Sequence, residues 1–121
     1  MSQSTAQGAE RGEAHMRQDA GEAGGIPADQ RLLLEALVSL GSVADARALL
    51  DDLLTPREME DLSQRLEVAR MLDAGVPYVH IQQATGASAT TVARVARCLK
   101  YGPGGYRRVL DQLPAYEEPA Q

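Results

Sequence analysis

From residue 28 onward apolar positions recur at helical spacing, and no run alternates as a half-buried strand would require. Leu33, Leu34, Leu37 and Val38 share one face of a first helix predicted over residues 28–40, which Leu32 and Leu40 widen. Gly41 stops it, and Ser42 opens S-V-A-D, a capping-box variant with Asp45 at the third helical position. A second helix carries Val43, Ala46, Leu49, Leu50 and Leu53. The third helix has the clearest start. Thr55 is the N-cap, Pro56 takes the first helical position, and Glu58 reaches back, with Leu54 and Met59 placed for a hydrophobic staple. Met59, Leu62, Leu66, Ala69 and Leu72 predict its inner stripe, and Gly75 and Pro77 end it.

The next stretch, residues 76–100, reads as two short helices around a tight turn. The first carries Val79 and Ile81 and ends near Thr85. Gly86 follows, a residue that reaches positive φ without steric cost, and Ser88 can N-cap the second helix. Val92, Val95, Ala96 and Leu99 make the buried face of that helix, while Thr90, Arg94, Arg97 and Tyr101 lie opposite. This is a helix-turn-helix layout, whose second helix can enter a DNA major groove. A plain pair of packed helices would share most of the pattern, and Gln82 stands where many such motifs carry alanine. Tyr101-Gly-Pro-Gly-Gly breaks the chain. A last short helix begins near Tyr106, with Val109, Leu110 and Leu113 apolar, and Pro114 ends it.

Six helices without strands make the fold class all-α. Residues 27–113 are expected to form one helical DNA-binding and dimerisation domain. The Gly-, Ala- and Glu-rich residues 1–26 and the acidic residues 114–121 are expected to be disordered tails. The first two helices carry more apolar surface than a small monomer covers readily, which argues for a two-fold homodimer; packing onto the third helix within one chain is the alternative.

Charge adds a second layer. The 121 residues carry a net −5, which looks wrong for a DNA binder. Yet residues 76–113 hold Arg94, Arg97, Lys100, Arg107 and Arg108 against Asp111 alone, while residues 28–75 hold ten acids against five bases. Phosphate contact depends on local charge, so the basic second half remains compatible with duplex DNA. Cys98 is the single cysteine, the N-terminus lacks an apolar signal core, and LLLEALVSL is too short to span a bilayer, so a cytoplasmic location without membrane contact is expected.

Among the candidate functional residues, Ala87, Ser88, Ala89, Thr90 and Thr91 open the reading helix. Their small side chains allow close approach to base edges and phosphates. Arg97 and Lys100 suit phosphate better than bases. Arg94 has three readings: DNA contact, the wall of a ligand cavity, or an ion pair with an acid such as Glu67. Arg107 and Arg108 suit either phosphate or a solvated face. His15, His80 and Cys98 have no metal-ligand spacing, and no cofactor motif is present. Cys98 with His80 lacks an orienting third group, so enzymatic activity is not expected.

The text DDLLTPREMEDLSQRLEVARML, then Gly75, then TGASATTVARVARCLKYGPGGY resembles the tryptophan-repressor superfamily, most closely its YerC/YecD branch of Trp repressor-like proteins. The resemblance implies a Trp repressor-like intertwined dimer that regulates transcription from double-stranded DNA. It also implies a small-molecule effector site at Arg65, Arg94 and Cys98, the positions matching the two arginines that sandwich a corepressor indole and a nearby serine. Val95 matches a glycine of the repressor, and as a residue of the apolar face it is expected to fill the ring's space, which argues against tryptophan. The reading is therefore a sequence-specific regulator, a repressor, with a helical protein-interaction adaptor that no longer reads DNA as the alternative.

Overall fold

The computed structural model describes residues 25–119, so the expectation for residues 1–24 lies outside the described residues. Among these, six helices and no strand are found: α1 (Ala28–Val38), α2 (Val43–Leu53), α3 (Pro56–Asp73), α4 (Tyr78–Thr85), α5 (Ala89–Tyr101) and α6 (Gly105–Leu110). The chain falls into two units, one up to Leu50 and one from Asp51 onward, dividing within the last turn of α2.

In the first unit, α1 ends at Val38, two residues before its predicted stop. Ser39 and Leu40 turn back onto Ala36 and Leu37 through tighter backbone bonds ahead of Gly41. Ser42 caps α2 as expected, its Oγ accepting from the Asp45 amide at 3.0 Å. Neither helix contains a buried residue, and Leu32 and Val38 are 68% and 84% exposed.

In the second unit the capping box forms in full. Glu58 N–H donates to Thr55 Oγ1 at 3.1 Å, and Thr55 N–H donates to Glu58 Oε1 at 2.8 Å. The other end of α3 closes in a Schellman motif. Gly75, at φ +84, donates to the Leu72 carbonyl, and Val76 donates to the Met71 carbonyl. Val76 and Met71 are both buried, which adds the apolar contact that accompanies this cap.

The core gathers Val68, Ala69 and Met71 of α3 with Val76, Ile81 of α4, Ala87, Val92 and Val95 of α5, and Leu110 of α6. The predicted α3 stripe is met only in part: Ala69 is buried in this core and Leu72 packs against it. Val68 and Met71 face inward, whereas Leu62 and Leu66 remain exposed on the single chain. α3 carries apolar residues on more than one side, and periodicity alone does not say which side meets α4–α6. Val79 of α4 is likewise exposed.

The α6 region also departs from expectation. The helix stops at Leu110, and Leu113 lies in the turn after it. Pro114 and Tyr116 belong to the fold rather than to a free tail. The Pro114 carbonyl accepts from Arg70 Nη1 at 3.2 Å, the Tyr116 ring lies 5.3 Å from the Arg70 guanidinium, and the ring packs on the core.

Candidate nucleic-acid interface

α4, the turn at Gly86 and α5 form the helix-turn-helix. α4 starts after Pro77, where a fixed φ suits a helix entry, and ends at Gly86, whose φ of +76 carries the chain into the left-handed region. Gly86 N–H closes onto the Gln82 carbonyl at 2.8 Å. Ser88 then caps α5 by accepting from Thr91 N–H at 3.1 Å. Ile81, Val92 and Val95 lock α4 and α5 to each other and to α3 from below.

The opening of α5 is not uniformly outward. Ser88, Ala89 and Thr90 are exposed, whereas Ala87 is 4% exposed and its amide donates to Thr85 Oγ1 at 3.1 Å. Ala87 precedes the N-cap, so its methyl group closes the junction between the two helices instead of reaching a groove. Thr91 is half-buried and within 3.1 Å of Ser88 Oγ. Beyond this turn Arg94, Arg97 and Lys100 are all exposed. Among the described residues neither Arg94 nor Arg97 pairs with a carboxylate, and the Lys100 ammonium sits 5.5 Å from the Tyr101 ring. The acid suggested for Arg94 is taken, since Glu67 receives both Nε and Nη2 of Arg70.

Arg107 proves to be structural. Its Nη1 and Nη2 fork onto Asp73 at 2.7 and 2.9 Å, and its Nε donates to Asp111 at 3.0 Å. This contact holds the Asp73 carboxyl below the usual carboxylate range and raises the Arg107 pKa. Arg108 stays exposed, as does His80.

A cleft of about 420 Å³ lies between α3 and the start of α5. It brings together Arg65 and Arg94, which the family resemblance paired, along with Gln64, Glu60 and Thr91. Two expectations about it need correction. Cys98 does not line it, because it lies a full helical turn beyond Arg94, the last residue of α5 to do so. Val95 does not fill it either, being 2% exposed within the core. The residue sequence reasoning missed is Gln64, a glutamine unremarkable in its helix, which donates to the Thr85 carbonyl at 3.1 Å. Among the described residues no cluster of three or more His, Cys, Asp or Glu side chains could hold a metal ion. No described helix is long and apolar enough to cross a membrane.

Known proteins share this arrangement. The Trp repressor protein family profile matches residues 28–114. YerC of Bacillus subtilis (strain 168), named as an uncharacterised protein, is 44% identical over 85 residues, spanning 70% of this chain and 82% of its own. The crystal structure of a TrpR-like protein from Eubacterium eligens has a TM-score of 0.68 at 41% identity, covering 73% of this chain and 91% of that one. A crystal structure described as a candidate Trp repressor, from Staphylococcus aureus, has a TM-score of 0.67 at 39% identity, covering 70% and 85%. By the extent of these matches and by its six-helix architecture, the chain belongs to the Trp repressor family.

Proposed function

We propose that the protein is a sequence-specific DNA-binding transcriptional regulator, a repressor, acting in the cytoplasm as a two-fold dimer. The observation that carries this reading is the division of α5. Val92 and Val95 anchor one side in the core, while Ser88, Ala89 and Thr90 at the N-terminal end and Arg94, Arg97 and Lys100 along the helix are open to solvent. Small polar groups that can approach base edges, backed by unpaired cations for phosphates, are what groove reading requires.

Dimerisation is supported by α1 and α2, which contain no buried residue and leave Leu32, Leu33, Leu34, Leu37 and Leu53 exposed. A two-fold partner would cover them and present a second α5 to a half-site about one helical turn of DNA away. For the effector, the cleft favours a small polar molecule with an anionic group. Arg65 and Arg94 reach no carboxylate among the described residues, whereas Arg57 and Asp61 already pair at 3.4 Å. An indole would find charged and polar side chains on most sides of this cleft, so tryptophan is expected to change DNA affinity little.

Selection of bound sites from random duplex DNA tests the proposal. A regulator should enrich one palindrome and bind it tighter than random duplex by about 10³-fold or more. Enrichment of nothing, at low salt and at dimeric concentration, would leave the adaptor as the surviving reading.

A further inference from the structure

The turn between α4 and α5 sets where the reading helix points. Most of its polar backbone is satisfied locally. Gly86 N–H bonds to the Gln82 carbonyl, Thr85 Oγ1 donates to the Ile81 carbonyl at 2.7 Å, and Ala87 N–H returns to Thr85 Oγ1. The Thr85 carbonyl differs. Its donor is Nε2 of Gln64, a half-buried side chain on α3, 21 residues earlier in the chain. Among the described residues this is the one side-chain hydrogen bond joining α3 to the helix-turn-helix.

The remaining attachment of α5 is apolar: Val92 and Val95 lie in the core and Leu99 packs against it. Such contact resists separation but is non-directional. A hydrogen bond has a preferred distance and angle, so it can fix a pose that apolar packing leaves loosely specified. It acts at the residue next to Gly86, where the backbone changes hand, so a small displacement there reorients Ser88, Ala89 and Thr90 together.

We infer that Gln64 is a positioning residue for DNA recognition, holding the Thr85 carbonyl so that the first turn of α5 meets the groove in one orientation. The inference rests on the proposed reading of α5 as the DNA-contacting helix. Gln64 touches no DNA itself. It acts through Thr85.

The full-length protein, Gln64→Leu and Gln64→Glu should be compared on the selected palindrome and on random duplex, with amide hydrogen exchange across residues 86–91. In Gln64→Leu, which keeps bulk and removes the donor, the ratio of selected-site to random affinity should fall about tenfold. Random-duplex affinity and Tm should stay near wild type, and exchange at residues 86–91 should quicken. Gln64→Glu provides the rescue. As an ionised carboxylate it cannot donate, and the ratio should be low; as pH falls through the carboxyl pKa, ordinarily about 4.3, the protonated acid donates to Thr85 and the ratio recovers. The facing groups Arg57, Glu60, Asp61 and Arg65 of α3 and Arg94 of α5 are present in wild type too, so the wild-type profile over the same pH range subtracts them. A ratio unchanged in Gln64→Leu overturns the inference alone. So does a loss shared equally by Tm and random-duplex affinity, which marks a merely structural role. A wild-type protein without site preference overturns the reading of α5 and this inference with it.

Discussion

Replacing Arg97 by alanine removes one exposed cation from α5, and polyelectrolyte theory turns that loss into a measurable slope. Each phosphate neutralised by the protein releases condensed counterions, so the logarithm of affinity falls with the logarithm of salt by about 0.9 per contact. Arg94, Arg97 and Lys100 give three cations per reading helix, and a dimer doubles them. The wild-type slope from these groups is then about −5.4, and Arg97→Ala, losing two contacts per dimer, should bring it to about −3.6. Between about 50 and 200 mM salt, wild-type affinity should drop roughly 10³-fold and the variant's only about 10²-fold. Fluorescence anisotropy on one duplex, titrated at five or so salt concentrations, measures both slopes. Arg31→Ala is the control, since Arg31 pairs with Glu35 at 3.2 Å on α1 and removes the same charge elsewhere. If Arg97→Ala and Arg31→Ala shift the slope alike, the affinity follows overall charge and α5 has no privileged contact with phosphate.

Other outcomes can be set beside this one. Thr90→Ala should relax base preference at one position per half-site by about 1 kcal/mol while leaving the salt slope alone; site selection with the variant would return the wild-type consensus if Thr90 reads nothing. Thr55→Ala breaks the capping box of α3 and should cost about 1 kcal/mol of stability, seen in urea melts; an unshifted midpoint would mean that the cap is redundant. The Asp73 carboxyl, held low by Arg107, stabilises the fold above its unfolded pKa, about 3.9, and that stabilisation is lost as pH falls through the lower folded value. The stability gap between wild type and Asp73→Asn should therefore close below about pH 4, and a gap that persists in stronger acid would refute the assignment.

Local chemistry was the legible part of this fold. Thr55, Pro56 and Glu58 announce a helix start, and Gly86 with Ser88 announces a turn and a second start, because each signal is completed within a few residues of backbone. What the sequence concealed were choices made between segments. Leu62 and Leu66 look as inward as Val68 and Met71 until α4–α6 are in place to select a side of α3. Ala87 belongs by spacing to the reading residues, yet its place before the N-cap turns it into the junction. Val95 and Cys98 fit the matched pattern of an effector site, but helical phase puts one in the core and the other beyond the cleft. The Gln64 bond to Thr85 joins residues too far apart in the chain for any local pattern to suggest.

Arg70's grip on Pro114 and Tyr116 has a practical side for anyone cloning the gene. A version trimmed at Leu113 would strip an aromatic ring from the underside of α3 and leave that guanidinium with Glu67 alone. Purification handles and fluorescent fusions should be joined after Glu118, where the strap has already been fastened.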